Sequence, residues 1–583
     1  MATLSLAAHQ VEHYAENLGE ILRGDRIEST LYSLSMKSDE YCKVLCEKKY
    51  TPEEIGQFAE RVVEDYRINM ITDNMPSATK FLDLELQTVY SLGFPLGFVG
   101  SEEETDTETD KPYLNNHLRF KILYHQEPTG YYGSRIVGFE VEAFSVDHVP
   151  AKGELNADGT QQLLTCAQQG TSEIGDFLQL DTEAESQRIF WTYDVLFEYS
   201  AIKWASRWDT YLNSADDDQI HWFSIVNSML IVVFLTGMVG MILMRTLSQD
   251  LSKYNAMDGN DAQDETGWKL VHGDVFRPPK NPNLLAVVVG SGVQLLAMAG
   301  ITLLFAILGF LSPANRGGLM TAALLLYVFM GVFAGYVSSR MYKSFNGLAW
   351  KRNTIMTATL FPGVVFVVCF IINFFVWHKG SSGAIPFGTL FAILFLWFGV
   401  SVPLCFVGSY FGFAKSKIEH PVRTNMIPRQ IPEQSWYMQT AFSIAIGGIL
   451  PFGAVFIELF FILSSVWLNQ FYYVFGFLAL VVLILCITCS EISIVLVYFQ
   501  LCSEDYNWWW RSLLTSGSSG LYLFVYGIFY YYTKLNIIGF TSGLMYFGYM
   551  FLTSYAFAVG TGTIGFLACF LFVRIIYGSI KVD

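Results

Sequence analysis

Charge is scarce in this chain: 15% of its 583 residues are Asp, Glu, Lys or Arg, while 52% are apolar. Together with a mean hydropathy of +0.36, that is too little charge for an ordinary soluble protein. Basic residues are rarest at the front. Residues 1–220 hold 17 Lys and Arg against 39 Asp and Glu, residues 221–583 hold 19 against 13, and the sum is the net charge of −16. No basic face is available to displace counterions from a phosphate backbone, which excludes nucleic acid as a partner. Catalytic patterns are missing too: there is no His-Glu-x-x-His, no Gly-x-Ser-x-Gly and no Gly-x-x-x-x-Gly-Lys-Ser/Thr. No catalytic residue, cofactor or metal site is therefore expected. The first residues lack the basic and apolar stretches of a secretory leader, so the chain is expected to begin downstream of its true start.

Long apolar runs are present instead. About 20 apolar residues in helical form cross the hydrocarbon core of a bilayer. Nine runs qualify: Trp222–Met244, Leu284–Leu311, Leu319–Ser339, Asn353–Trp377, Phe387–Tyr410, Tyr437–Trp467, Phe471–Gln500, Ser512–Thr533 and Phe540–Val573. The expected fold is a mainly α membrane protein, a nine-helix bundle over 221–573. It follows an N-terminal, mainly β domain over 1–220 and precedes a tail over 574–583. Orientation follows from Lys and Arg, which favour the cytosolic side. With the head outside, cytosolic connections carry 16 basic residues and lumenal ones carry Arg316, Lys379 and Lys534. The head is thus expected in the lumen and the tail in the cytosol, with the lipid bilayer as the surroundings of the bundle.

Within the head, His117–His125, Arg135–Val146 and Arg188–Tyr199 alternate apolar and polar residues as half-buried strands do, and a sandwich is expected. The acidic run Ser101–Pro112 reads as a solvated linker. In an oxidising compartment Cys42 and Cys46 could form a local disulfide, leaving Cys166 over. No Asn-x-Ser/Thr sequon occurs in the head to report independently on its location.

Inside the spans, Gly560, Gly562 and Gly565 spell a dinucleotide fingerprint but lie in an apolar helix, where helix packing is their better explanation. Gly331 with Gly335, and Gly408 with Gly412, have the spacing that lets helices approach closely. Cys486 and Cys489 read as small packing residues. Two acids lie inside spans, Glu458 and Glu491, and an intramembrane charge is a candidate site by default. At a rise of about 1.5 Å per residue, they lie roughly 14 Å and 30 Å from the lumenal ends of their spans, too far apart for a carboxylate pair. Gln294 lies closer in depth to Glu491. Pro451 and Gly453 precede Glu458 and are expected to kink its helix, leaving Glu458 reachable and Glu491 structural. Hydrogen-bonded structural acids, a polar groove and proton or cation coupling all remain open.

Several longer runs resemble one family, the transmembrane nine superfamily or nonaspanins, in its long-headed form. They include LGEILRGDRIE (Leu18–Glu28), AIKWASRWDTYL (Ala201–Leu212), GWKLVHGDVFRPP (Gly267–Pro279) and HPVRTNMIPRQIPEQSWY (His420–Tyr437). GGILPFGAVFIELFFI (Gly447–Ile462), LCSEDYNWWWRSLLTSG (Leu501–Gly517) and FVRIIYGSIKVD (Phe572–Asp583) continue the match. The resemblance implies Golgi and endosomal membranes and a role in sorting other membrane proteins to the surface, with consequences for adhesion and phagocytosis. It also implies that Lys581 and Asp583 form a sorting signal read by coatomer. The cargo would be membrane proteins with glycine-rich or polar spans, held by helix packing in lipid. The alternative is a proton- or cation-coupled transporter or channel using Glu458.

Overall fold

A computed structural model describes residues 12–82, 88–101, 110–126, 133–155, 161–166, 176–181, 185–208, 218–241, 244, 248, 267–311, 315–381, 383–467, 475–535, 537 and 539–579. The chain forms two compact units, one of residues 1–15, 27–216 and 462–473, the other of 16–26, 217–461 and 474–583. The second therefore takes in a short helix from the front of the chain, α1 (Leu18–Arg23).

In the head unit, α2 (Pro52–Val63) starts at a capping box, with Thr51 and Glu54 bonding each other's backbone N–H and proline at its first position. The main sheet has six strands: β1 (Glu40–Tyr50), β2 (Ala78–Leu82), β3 (Thr88–Leu92), β4 (His117–His125), β5 (Arg135–Phe144) and β6 (Gln187–Tyr199), in the order β1-β6-β4-β5-β2-β3. The β6–β4 and β5–β2 pairs are parallel and the other three antiparallel. Among the described residues the remaining strands form two-stranded ribbons, so the head is one mixed sheet with ribbons and not the expected sandwich. One ribbon pairs Gly97–Ser101 with Asp110–Leu114, so both ends of the expected Ser101–Pro112 linker are strand, and 102–109 lie outside the described residues.

The local disulfide is not formed. Cys46 is a free thiol and Cys42 is disulfide-bonded elsewhere. Both lie on β1, where four residues of extended chain span about 13 Å, twice the separation that a disulfide can bridge.

The second unit is a bundle. Its helices are α3 (Asp218–Met241), α4 (Pro282–Ile307), α5 (Gly318–Phe329), α6 (Gly331–Ser344), α7 (Trp350–His378), α8 (Phe387–Phe395), α9 (Val402–Ala414), α10 (Thr440–Gly447), α11 (Ile449–Trp467), α12 (Phe475–Cys502), α13 (Trp508–Gly517), α14 (Ser519–Lys534) and α15 (Phe540–Gly578). Taken with their interruptions they make eight helices long and apolar enough to cross a membrane among the described residues. Ile225–Met241 of α3 is a shorter apolar helix at the place of the first expected span. The last helix runs past Val573 to Gly578, so the expected tail begins as helix.

Among the described residues four spans are interrupted. Met330 interrupts α5–α6, a π-helical turn over Leu396–Ser401 joins α8 to α9, Gly448 separates α10 from α11, and Ser518 separates α13 from α14. Small residues set the tightest packing. On α6 and α9, a Cβ on Gly335 would overlap the Cys405 carbonyl and one on Gly408 the Val332 carbonyl, so each glycine pair lies against the other's backbone. On α15, Gly562 abuts the Leu513 carbonyl and Gly565 the hydroxyls of Ser493 and Ser516, which makes the fingerprint-like glycines helix contacts. Cys486 and Cys489 are both free.

α1 is fixed to the α4–α5 connection. Asn17 Nδ2 donates to the Arg316 carbonyl at 2.7 Å, and Gly19 N to Thr321 Oγ1 at 2.9 Å. The Arg316 guanidinium lies 3.6 Å from Glu20 and 3.9 Å from Asp25.

Candidate functional site

The two acids sit where α3, α11 and α12 pack. Val232, Ala454 and Ile484 share one apolar layer, and Ser228 Oγ donates to the Ala454 carbonyl at 3.4 Å. From that layer Glu458 is four residues along α11 and Glu491 seven along α12, in opposite directions because consecutive spans are antiparallel. The acids are thus about 16 Å apart in depth. Their exposures reverse the expectation: Glu458 is 2% exposed, while Glu491 is half-buried. Glu491 Oε1 accepts from Thr236 Oγ1 at 2.5 Å, and its buried Oε2 has no hydrogen-bond partner among the described residues. A helix turns 100° per residue, so access depends on which face its neighbours cover, a property that neither depth nor a nearby glycine reveals. Gln294 joins neither acid: it is buried and donates to the Tyr327 carbonyl at 2.7 Å, in the last turn of α5.

The break beside Glu458 is displaced from the expected residues. It falls at Gly448, with Pro451 in the first turn of α11, where a missing N–H is tolerated. Gly453 lies inside α11, and a Cβ there would meet nothing within 4 Å. At the break, Gly447 and Gly448 press against Thr515, Ser518 and Ser519, so the gaps in α10–α11 and α13–α14 cross. Carbonyls of Ile444 and Ala445, which lose their intrahelical donors, accept instead from Ser518 Oγ and Tyr522 OH, each at 2.7 Å. Polar backbone at the gap is thereby satisfied by the opposing helix.

One end of the bundle gathers four of the runs quoted above, an assembly that sequence reading missed. Trp508, Trp509 and Trp510 donate from Nε1 to the carbonyls of Val275 (2.9 Å), Arg277 (2.9 Å) and Lys280 (2.7 Å). Three consecutive tryptophans, each with a donor to satisfy when buried, were the available signal. Asp274, 2% exposed, accepts from Arg277 Nε at 3.0 Å and from the Arg429 N–H at 3.2 Å. Arg511, 4% exposed in its side chain, lies 3.6 Å from Asp505 and donates to Ser443 Oγ and the Met438 carbonyl. Tyr577 OH reaches the Trp268 carbonyl at 2.7 Å, which ties the end of α15 into this cap. Lys581 and Asp583 lie outside the described residues.

The head holds a second polar network, buried except at its Thr165 end. Thr165 Oγ1, His148, Thr192 Oγ1, His117 and Asp194 follow one another at 2.7, 2.8, 2.8 and 3.3 Å. Burial works against the Asp194 anion, but His117, the Cys42 N–H and Arg119 outweigh it and hold the carboxyl below its usual range. Burial, then neighbouring His117, push His148 from its ordinary 6.5 down to about 4. The unfolded chain therefore takes up a proton that the folded head refuses. The stability contributed by neutral His148 is complete above pH 6.5 and is lost as pH falls toward 4, by about 3 kcal/mol in all. The head's melting temperature, followed by tryptophan fluorescence, should fall over that window, and His148→Gln should flatten this part of the profile. An unchanged slope in the variant would refute the assignment.

A family model described as Endomembrane protein 70 matches residues 4–540. Transmembrane 9 superfamily member 10 of Arabidopsis thaliana is 55% identical over 576 residues, covering 98% of this chain and 89% of that one. Transmembrane 9 superfamily member 4 of Homo sapiens is 48% identical over 594 residues, covering 98% of this chain and 90% of that one. No solved structure matches.

Proposed function

The chain belongs to the transmembrane 9 superfamily, the family of Endomembrane protein 70, and from that premise we propose that it is a non-enzymatic sorting factor for other membrane proteins in the Golgi and endosomal system, serving surface delivery and adhesion. The observation that carries the mechanism is Gly453. It lies on the broken α10–α11 span in open space, with Ile449 and Phe456, both exposed, on either side of it along α11. A guest span with small or polar residues can approach such a helix closely, and dispersion and weak hydrogen bonds then hold it. Lysines and arginines gather at the cap that carries the end of α15, which supports a cytosolic cap and a lumenal head. Coatomer would read Lys581 and Asp583 there and keep the protein in the early secretory pathway.

Masking the tail tests the location. Lys581→Ala, or residues added after Asp583, should move most of the protein out of the Golgi and abolish coatomer capture; unchanged imaging and pull-down would remove the signal from this account. The alternative, a proton- or cation-coupled transporter using Glu458, draws on two crossing broken helices about 15 Å along α11 from a buried acid, and transporters build sites at such breaks. Against it, the carbonyls of Ile444 and Ala445 already accept from Ser518 and Tyr522, with which an ion would have to compete.

A further inference from the structure

One patch of the cap carries positive charge with no carboxylate to balance it. α6 and α9 end there and α7 begins, and Phe345, in the turn after α6, lies edge-on to Trp509 with ring centroids 4.9 Å apart. Elsewhere in the cap Arg277, Arg429 and Arg511 each have an acid, at Asp274, Glu504 and Asp505. Arg340, Lys343, Lys351, Arg352, Lys415 and Lys417 have none among the described residues, and no Asp or Glu occurs in the sequence between Asp274 and Glu419. The fold gathers these cations. Lys343 Nζ donates to the Phe413 and Lys415 carbonyls, both at 2.7 Å, Arg340 donates to the Ser416 carbonyl, and Lys417 Nζ donates to Asn346 Oδ1 at 2.5 Å. Trp350 stacks on Phe413 with 6.3 Å between centroids, which sets the exposed Lys351 and Arg352 beside the same helix ends. The carbonyls that close α9 offset part of this charge. Like charges held so closely still repel one another and draw an anion.

The patch lies at the edge of the membrane. Tyr410 and Phe411, near the end of α9, are 62% and 58% exposed, and aromatic side chains at span ends stand at the level of the headgroups. Lys415 and Lys417 follow within two turns. Leu348, 87% exposed in the turn between α6 and α7, adds apolar surface beside the cations, the pairing that interfacial segments use against lipid. Clusters of roughly four to eight Lys or Arg just outside a span hold anionic headgroups. An acidic protein would have to reach cations that lie level with the phosphates, whereas a lipid is already there. We propose that these six residues form a binding site for an anionic lipid of the surrounding bilayer whose headgroup carries more than one phosphate, a phosphorylated phosphatidylinositol. A single phosphate cannot meet cations on three helix ends at once, and phosphates spread around a ring can.

Lipid retention by the full chain in mild detergent, read by native mass spectrometry, tests the site. The parent should keep phosphatidylinositol bisphosphate in preference to phosphatidylserine and phosphatidylcholine, and the bound lipid should raise the melting temperature. Lys351→Gln with Arg352→Gln, whose side chains bond nothing among the described residues, should leave the lipid-free melting temperature unchanged and weaken that binding by about thirtyfold. Lys351→Arg with Arg352→Lys, which keeps the charge, should bind as the parent does, and Lys534→Gln, at the opposite end of the bundle, should change nothing. Parent-like retention in the neutralised variant overturns the site, as does an equal loss in Lys534→Gln. Phosphatidylserine held as tightly as the bisphosphate overturns the choice of headgroup. If soluble inositol trisphosphate raises the melting temperature as far as the lipid does, the phosphates come from solution and the proposal fails.

Discussion

Gly453→Leu should leave the protein folded, correctly located and normally abundant, yet reduce delivery of its cargo to the cell surface severalfold. Folding is spared because nothing lies within 4 Å of the added Cβ. The same substitution at Gly447, where a Cβ would overlap Thr515 Cγ2, would break the crossing of α10–α11 with α13–α14. Function is affected because a leucine fills the open place at Gly453 where a guest backbone can come close. Interhelical contacts in lipid are worth about 1–2 kcal/mol, which corresponds to roughly 5–30-fold in association. Glu458→Gln should leave delivery intact, since the acid is buried and faces no guest. Surface biotinylation of cargo in cells expressing each variant separates the readings. Full delivery by a well-expressed Gly453→Leu would sink the docking mechanism, and loss of all activity in Glu458→Gln would favour the transporter.

Asp505→Ala should be among the most damaging single changes in the bundle. It strands Arg511, which is 4% exposed in its side chain, and removes the acceptor for Gln500 Nε2 at 2.9 Å and for the Asn507 N–H at 3.0 Å. Removing one partner of a buried pair costs about 3–5 kcal/mol, because the remaining charge keeps its desolvation penalty. Arg511 also holds Met438 and Ser443 at the start of α10, so the loss should spread to the crossing of the broken helices. The detergent-solubilised variant should elute as aggregate or melt at a much lower temperature. A melting curve matching the parent would show that the pair is dispensable.

Eight of the nine expected spans were legible in the sequence because apolar length alone decides them, and the first appears among the described residues as a shorter apolar helix. Their interruptions were not, since Met330 and Ser518 interrupt helices in runs that continue to read as apolar. LGEILRGDRIE was legible as a motif but not as part of the bundle, because its partners Arg316 and Thr321 lie about three hundred residues away. The cysteine pair failed for a local reason: four residues are close in a turn and far apart in a strand. The acids were found by charge, but their burial depends on facing helices that no single run encodes.

The central claim, that this chain moves other membrane proteins to the surface by holding their spans, is tested most directly by a quantitative surface proteome of cells with and without it. Loss should deplete a set of multispanning proteins with glycine-rich or polar spans from the surface while their total amounts hold. The parent chain and Glu458→Gln should restore them and Gly453→Leu should not. An unchanged surface proteome, accompanied by altered lumenal pH or ion content that Glu458→Gln fails to restore, would contradict the account.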